Sequence, residues 1–501
     1  MKNYFQKMWA TLMVVMLCVT TFLSCSTKEE YEFEFELPGR IVTQLGASVV
    51  VSFKAVNISS MSVTSVPEGW EVKDVDLVKR TMTIVAPKEY TTDDNNVEEN
   101  GLLKMTGFTA AGTSLPTSSY LSLQNRSIDL TAQHSNSYVI SQKDTRYTID
   151  VTHKGETDER IAPAKVDVVW QSEVYLVDYD SYDAEKGTYT FYVSSKEVED
   201  ANGNVESTTI PYGNAVVGAY DENDNIIWSW HLWLTSEVEE ITTASGVFMD
   251  RNLGAHYNGG GSTDTDDIYA SYGLYYQWGR KEPFPRPKDY NFSNNQDQKM
   301  YSGGGATKTF RYVTYEMVKD QASTFEFGSR EYATAYPFTY ILGTEANDFD
   351  WLHGEHDAAL WTESDKKKSV NDPCPYGWRV PDGDAFVGFD IDEAEDAAAV
   401  ADVKNMYGWH LVDNNGVKMF MPGAGRRSYE NGVLTNVNNY GYEHNPMPWI
   451  GYYWTAGAVG GNKSQSMFFD LNTTRAVNNR YEAQKDMYRG NGMQVRCVKV
   501  K

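Results

Sequence analysis

Apolar and polar residues alternate in short stretches along the first half of the chain, which is the pattern of β-strands with one buried face. Between residues 39 and 125, segments such as SVVVSFKAV and RTMTIVAP carry this two-residue period, and turn residues such as Pro67-Glu68-Gly69 separate them. The same pattern returns between residues 126 and 240, in RYTIDVT and TYTFYVSS. The alternation therefore predicts two all-β sandwich modules, one after the other.

One segment of the second module is apolar in both phases of the alternation. In IIWSWHLW, residues 226–233, Trp228 and Trp230 point to one face of a strand, while Ile227 and Trp233 point to the other. Such a strand is expected to be buried on both sides or to lie at a junction between domains. The alternative is an exposed aromatic platform on which sugars stack.

The length of the strand-like segments and the residue composition change after residue 240. Strand-like segments become shorter, and glycine and asparagine are abundant in the long connections between them. Helical patterning is confined to YEMVKDQA (residues 315–322) and to the segment after Pro381-Asp382, where Phe386 and Phe389 are spaced by three. This part is therefore predicted to differ from the sandwiches and to carry helices and long loops.

The formal net charge of −25 limits the classes of ligand that the chain is expected to bind. A strongly acidic chain repels the phosphate backbone, so nucleic acid is not expected as a ligand.

The N-terminus carries a basic start followed by an apolar run. Lys2 and Lys7 precede MWATLMVVMLCVTTFL (residues 8–23), which is shorter than a membrane-spanning helix and ends in FLSCS. This arrangement resembles a bacterial lipoprotein signal, with Phe22 at the position usually held by leucine. The resemblance implies that Cys25 is diacylated and anchors the chain, and the following STKEE is similar to the signal that exports Bacteroidota lipoproteins to the cell surface. The alternative is an ordinary signal peptide that is cleaved elsewhere.

Five motifs follow one another in the last part of the chain. They are GVFMDRNLGA (246–255), YGLYYQWGRKEPFP (272–285), DPCPYGWRVPDGDAF (372–386), GYYWTAG (451–457) and GMQVRCVKV (492–500). Together they resemble the Fibrobacter-succinogenes-major-paralogous type of domain found in Bacteroidota surface lipoproteins. That group is similar to the formylglycine-generating-enzyme fold, a variant of the C-type lectin fold.

The expected architecture is thus multidomain, with two immunoglobulin-like β-sandwiches followed by an α+β C-type-lectin-like domain. The expected boundaries are 1–24 for the signal peptide, 25–38 for a tether, 39–125 and 126–240 for the sandwiches, and 241–501 for the C-type-lectin-like domain.

Two cysteines remain once Cys18 is assigned to the signal peptide and Cys25 to the lipid. In an exported protein, a remaining pair is most often a disulfide. The resemblance to C-type-lectin-like domains implies a bridge between Cys374, ahead of the proposed helix, and Cys497 in the terminal strand. The alternative is two free, buried thiols.

No catalytic residues are predicted, and the chain is expected not to be an enzyme. The enzymatic relatives of this fold use a pair of reactive thiols, whereas Cys374 and Cys497 fall in scaffold motifs. His353 and His356 in WLHGEHD lack the helical i, i+4 spacing of a zinc protease motif, although they leave metal binding open. A glycosidase acid pair cannot be singled out from sequence, because the separation that defines it is spatial.

The loop NGGGSTDTDDIY suggests a calcium site. Asp264, Asp266 and Asp267 supply hard carboxylate oxygens within a flexible segment, although the loop lacks the spacing of an EF-hand. The alternative is a hydrated loop. No other cofactor is expected.

Two further segments carry candidate ligand-binding residues. Exposed aromatic side chains stack on sugars or anchor protein interfaces, which points to Trp449 and Tyr452 in NPMPWIGYYWTAG. The alternative is a core strand, which is how the related domains use the YYW segment. In PGAGRRSYENG, Arg426 and Arg427 are expected on a loop, where they bind carboxylates or pair with the protein's own acidic surface.

The expected function is that of a binding protein anchored by lipid to the outer membrane and exposed at the cell surface. Its ligand would be a glycan or a protein, in the role of an adhesin, a fimbrial accessory subunit or a capture component. The alternatives are a purely structural subunit of a surface assembly, with fimbrial subunits as partners, and a glycan-active enzyme.

Overall fold

The computed structural model describes the chain from residue 30 onward, with gaps. The described residues are 30–35, 40–44, 46–88, 101–123, 126–199, 205–292, 296–321, 323–354, 356–361, 367–392, 406–435, 450–471 and 480–500. The chain divides into two compact units, residues 1–125 and 126–501. Among the described residues, no helix is both long enough and apolar enough to cross a membrane.

The first unit is a β-sandwich. Its strands are β1 (Glu32–Phe35), β2 (Arg40–Thr43), β3 (Ser48–Val56), β4 (Ser60–Ser65), β5 (Glu71–Asp76), β6 (Thr81–Val85), β7 (Gly101–Phe108) and β8 (Ser114–Leu123). They form two four-stranded sheets in the orders β1-β3-β6-β5 and β2-β8-β7-β4. Phe53 and Ile84 from one sheet and Leu103 and Leu121 from the other belong to the same buried core.

Strand β1 lies within the segment predicted to be a tether. In EFEF, Phe33 and Phe35 alternate with glutamates, and both rings are buried in the sandwich core. The strand pairs antiparallel with β3, so that Phe35 lies opposite Phe53. The folded part of the chain therefore begins earlier than residue 39, because even a four-residue alternation supplies two core side chains.

The second unit begins with ten further strands. They are β9 (Arg126–Asp129), β10 (Ser137–Ile140), β11 (Thr145–Asp150), β12 (Lys165–Gln171), β13 (Asp178–Asp183), β14 (Thr188–Val193), β15 (Lys196–Glu199), β16 (Val205–Thr209), β17 (Gly213–Tyr220) and β18 (Ile226–Leu234). Strands β13-β14-β11-β9 form one sheet, and β10-β18-β17-β12 form most of a second. Residues of both sheets, including Phe191 and Trp230, share one buried core.

The remainder of the second unit consists of short strands with few helical turns. The strands are β19 (Glu240–Thr243), β20 (Gly246–Met249), β21 (Tyr276–Gln277), β22 (Met300–Tyr301), β23 (Thr307–Lys308), β24 (Arg311–Val313), β25 (Thr339–Ile341), β26 (Trp378–Arg379), β27 (Phe389–Ile391), β28 (Gly408–Asp413), β29 (Lys418–Pro422), β30 (Ala424–Arg427), β31 (Leu434–Thr435), β32 (Ile450–Ala458), β33 (Lys463–Asp470), β34 (Tyr481–Tyr488), β35 (Gly492–Met493) and β36 (Val498–Lys499). The α-helices are α1 (Thr265–Ser271), α2 (Tyr315–Val318) and α3 (Arg330–Ala335), and a 3₁₀ turn spans Glu345–Asn347. Strand therefore predominates over helix in the described chain, as predicted for its first half.

The largest sheet of this region carries the GYYWTAG motif. Its strand order is β21-β35-β30-β32-β33-β34, and β31 pairs with β30. Smaller sheets join β19-β20-β36-β26 and β27-β28-β29, and β24 pairs with β25. The terminal strand β36 thus lies between β20 and β26, which come from two of the other motifs.

The segment after Pro381 differs from its predicted helix. Turns follow Asp382, and the chain then enters strand β27. Phe386 and Phe389 both pack against Phe248, with ring centroids 5.5 and 5.9 Å away. The three-residue spacing of Phe386 and Phe389 indicates a helix in the sequence. In the structure it belongs to a turn that places both rings in the same core. Residues 393–405 of the predicted helix lie outside the described residues.

Strands β12, β17 and β18 are buried on both faces, as the sequence predicted for IIWSWHLW. Trp228 and Trp230 belong to the core of the sandwich, whereas Trp233 belongs to the core of the region after residue 240. Trp233 donates its indole N–H to the carbonyl of Ala255 at 2.8 Å. Strands β22 and β23 extend the same sheet at its β12 edge. Residues 126–240 and the residues after them are therefore joined through a shared sheet.

Candidate functional site

The predicted disulfide is present. Cys374 and Cys497 form a bond with an S–S distance of 2.07 Å, and both residues are fully buried. The bridge connects the DPCPYGWRVP segment with the end of the chain across 123 positions. Because both thiols are consumed, neither is free to act as a nucleophile.

The segment around Cys374 is also fixed to the sandwich by three side chains ahead of and within β10. Ser135 donates to the carbonyl of Cys374 at 3.1 Å, and Ser137 donates to that of Pro373 at 2.6 Å. Between them, Asn136 donates to the carbonyls of Val370 and Asp372 at 2.7 and 2.9 Å. The segment 370–374 is therefore held as a rigid edge against the second sandwich.

Two of the three aspartates predicted to bind calcium make local hydrogen bonds through their carboxylates. Asp264 is the N-cap of α1, and its carboxylate accepts the backbone N–H groups of Asp266 and Asp267 at 2.8 and 3.4 Å. Asp267 accepts the hydroxyl of Ser262 at 2.8 Å. The three carboxylates are not among the described groups whose oxygens converge within metal-ligand distance. Sequence alone could not separate a cap from a ligand, because both functions use the same residue type.

Three of the four predicted ligand-binding residues are buried or nearly so. Arg427 is fully buried, and its guanidinium is paired with Asp297 and donates to the carbonyl of Gly432 at 3.0 Å. Arg426 is 9% exposed, lies over the ring of Tyr452 and donates to Asn491. Tyr452 is 6% exposed. The predicted loop is thus wrong, because Arg426 and Arg427 lie in strand β30 and Tyr452 lies in β32. The alternative, a pair with an acidic group of the protein itself, is the one that Arg427 makes. Trp449 lies outside the described residues.

The histidines of WLHGEHD contribute to packing and to an ion-pair network. His356 Nδ1 lies 2.9 Å from Asp350, whose carboxylate is buried beside Arg489. Burial raises the pKa of Asp350, while His356 and Arg489 oppose that shift. His353 packs its ring on Tyr315, with centroids 5.9 Å apart. These two histidines are therefore not brought together as a metal site among the described residues.

A cavity lies where the second sandwich meets the residues after 240. This cleft has a volume of about 460 Å³, within the range of small-ligand sites. The sandwich supplies Lys154, Glu159, Ile161, Ala162 and residues 226–228, and the later part of the chain supplies Phe325, Arg330, Glu331, Thr334, Val370 and Asn371.

Part of the cleft lining is apolar, and we call this part the floor. It consists of Ile161, Ile226, Ile227, Phe325 and Val370, and each of these residues is only partly buried. Such a group of incompletely covered apolar side chains is a surface that gains free energy when a ligand covers it.

Trp228 also lines the cleft but offers little of its ring. It is 4% exposed, and the ammonium groups of Lys154 and Lys281 lie 5.4 and 4.3 Å from the ring centroid. Its indole N–H is donated to Asn136 at 3.1 Å. Stacking of a sugar on this ring is therefore disfavoured, because the face of the ring is already covered by cations.

Polar side chains line the rest of the cleft. Helix α3 projects Arg330, Glu331 and Thr334 toward the cleft, since positions four apart share one helix face. Arg330 is paired with Asp357, and Lys154 lies 3.6 Å from Glu159. By contrast, the side chains of Glu331 and Thr334 have no hydrogen-bond or ion-pair partner among the described residues. The cleft thus combines an apolar floor with free hydrogen-bonding groups and one free carboxylate.

No protein-family model matches the chain, and no curated protein matches it. Similar solved structures include a chimeric titin Z1Z2, which is 12% identical, covers 42% of this chain and 100% of its own, and has a TM-score of 0.14. The N-terminal eight immunoglobulin domains of Down Syndrome Cell Adhesion Molecule are 10% identical, with coverages of 44% and 28% and a TM-score of 0.13. A Bacteroides ovatus protein, SGBP-B of a mixed-linkage glucan utilization locus, solved with a heptasaccharide, is 6% identical, with coverages of 43% and 48% and a TM-score of 0.13. Scores this low do not relate the folds, so the comparisons assign no family.

Proposed function

We propose that the chain is a lipid-anchored binding protein of the bacterial outer surface, which captures a protein ligand through the cleft between the second sandwich and the residues after 240. The N-terminal pattern that ends at Cys25 supports outer-membrane anchoring, and the five ordered motifs support a C-type-lectin-like domain over residues 241–501. The observation that carries the proposal is the cleft itself, with its apolar floor and unpaired Glu331.

The chemistry of the cleft favours a protein ligand over a glycan. Ile226, Ile227 and Phe325 form a floor suited to an apolar side chain, whereas the covered ring of Trp228 lacks the open face that a sugar uses. A basic group next to that apolar side chain would pair with Glu331. A binding role without catalysis is also consistent with the loss of both thiols to the disulfide.

Parallel arrays of peptides and glycans, probed with the purified full chain, test this proposal. We expect binding to peptides that place an apolar residue beside lysine or arginine, and at least a tenfold loss of affinity in Glu331→Lys, because the reversed charge repels the basic group. Asp320→Lys is the matched control, since Asp320 is also exposed and adds the same charge outside the cleft. Binding to glycans alone, or peptide binding that Glu331→Lys leaves unchanged, would contradict the proposal.

The anchor is tested separately. In cells, Cys25→Ala is expected to leave an unprocessed precursor that carries no acyl chain, as measured by mass spectrometry. Normal maturation of this variant would exclude lipidation at Cys25.

A further inference from the structure

Three side chains that can bind metal converge on the second sandwich, next to the cleft. His134 comes from the connection between β9 and β10, Asp150 ends β11, and His153 follows three residues later. One nitrogen or oxygen atom from each residue lies within 4.8 Å of those of the other two. All three side chains are partly buried, which separates them from the dispersed acidic residues of the surface.

The carboxylate in this cluster is already positioned by the backbone. Asp150 accepts the backbone N–H groups of Thr152 and His153 at 2.9 and 3.0 Å, and His153 Nδ1 lies 2.7 Å from its Oδ1. Ligand atoms on one tetrahedral ion, with bonds near 2.05 Å, stand about 3.3 Å apart. The pair is therefore hydrogen-bonded in this structure and would separate by about 0.6 Å around a metal.

The local turn accounts for Asp150 and His153 but not for His134. The ring of His134 is stacked on that of His153, with centroids 3.7 Å apart and planes inclined by 14°. It comes from a different connection, and its nitrogens have no hydrogen-bond partner among the described residues. A second imidazole is thus held beside a histidine–carboxylate pair, and one of the two rings would turn out of the stack to direct its in-plane lone pair at the same ion.

We propose that His134, Asp150 and His153 bind one divalent first-row transition-metal ion, such as Zn²⁺. Two imidazoles and one carboxylate form a ligand set that such ions accept, with water completing the coordination. Thr152, whose hydroxyl donates to Asp150 at 3.0 Å and accepts from Arg160 at 3.4 Å, orients the carboxylate from outside the cluster.

The ion would stabilise the part of the second sandwich that adjoins the cleft. His153 directly precedes Lys154, and Asn136, two residues after His134, bonds both Trp228 and the carbonyl of Val370. A metal that joins residues 134 and 153 would therefore link the segment of Lys154, which lines the cleft, to the segment of Asn136, which bonds two other lining residues. This role does not depend on the identity of the cleft's ligand.

Equilibrium dialysis of the full chain against Zn²⁺, with the protein purified in detergent, without a histidine tag and after chelator treatment, tests the site. We expect one ion retained per chain and a rise in the melting temperature when Zn²⁺ is added, because the ion binds the folded form. His134→Gln and His153→Gln are expected to weaken binding at least tenfold. His356→Gln is the matched control, because it removes a partly exposed histidine that is not part of this cluster.

Melting curves in chelator establish that each variant is folded. His134 is partly exposed and without a hydrogen-bond partner among the described residues, so His134→Gln should melt within a few degrees of the parent. Absence of a retained ion in the parent, undiminished binding in His134→Gln, or loss of binding in His356→Gln alone would overturn the proposal.

Discussion

The ammonium group of Lys281 lies 4.3 Å from the centroid of the Trp228 ring and donates hydrogen bonds to the carbonyl and hydroxyl of Ser229. Lys281 belongs to the YGLYYQWGRKEPFP motif, whereas Trp228 and Ser229 belong to β18. A buried charge of the later region is thus neutralised at the shared sheet, with Glu282 at 3.1 Å as its counter-ion.

Replacing Lys281 by methionine should destabilise the chain by about 2–4 kcal/mol, because the substitution leaves Ser229 and Glu282 buried with fewer partners. Urea denaturation, monitored by tryptophan fluorescence, measures the loss. Lys485→Met is the matched control: its pair with Glu482 is exposed, and it should cost about 1 kcal/mol or less. Equal effects of the two substitutions would contradict the role assigned to Lys281.

Removal of the disulfide by the double substitution Cys374→Ala and Cys497→Ala should lower the free energy of unfolding by about 4 kcal/mol, because the bridge closes a long loop in the unfolded chain. A similar loss is expected when the parent is reduced under denaturing conditions and refolded with its thiols kept reduced. Alkylation of two thiols in the unreduced, denatured parent would show that the bridge does not form.

Asp372 should make stability depend on pH in an unusual direction. Burial raises the pKa of this carboxyl to about 6, although Lys368 and the backbone N–H groups of Val380 and Cys374 oppose the shift. The folded state therefore retains its proton at pH values where the unfolded state has lost it. The contribution of Asp372 is largest below its unfolded pKa and is lost as the pH rises through about 6, by up to about 3 kcal/mol.

The comparison with Asp372→Asn isolates this effect from that of the other carboxylates. The unfolding free energy of the parent minus that of the variant should fall from pH 4 to pH 7, as measured by urea denaturation at each pH. A value that stays constant or rises over this range would show that the pKa of Asp372 is not raised.

Asp264→Ala should cost about 1 kcal/mol with or without Ca²⁺, because the carboxylate caps helix α1. Asp266→Ala is the control. It lies in the first turn, where it interacts with the helix dipole alone, and should cost about 0.5 kcal/mol or less. Thermal denaturation in Ca²⁺ and in chelator measures both. A cost for Asp264→Ala that appears in Ca²⁺ alone would support the calcium site predicted from the sequence.

The sequence predicted features that depend on local periodicity. The two-sided burial of β18 followed from apolar residues in both phases of IIWSWHLW, since each phase faces one side of a sheet. Strand β1 follows from the same rule, but EFEF was overlooked because it is short and rich in acid. The pairing of Cys374 and Cys497 was accessible because the other two cysteines were assigned to the signal peptide and the lipid.

Features that depend on tertiary packing were not accessible. The cleft joins residues 154–162, 226–228, 325–334 and 370–371, which no local pattern relates. The buried position of Arg427 was missed because an arginine pair next to glycines has the same sequence signature on a loop and in a strand. The metal cluster was missed because His134 and His153 lie in different connections.

The sheet that is buried on both faces also determines where the chain can be divided into fragments that fold. A fragment that begins at residue 241 would lack Trp170, Val216 and Trp233, which form part of the core of the later region. The apolar surface left behind on both pieces is of the kind that drives aggregation. Expressed fragments, domain swaps and evolutionary shuffling should therefore keep residues 126–501 intact.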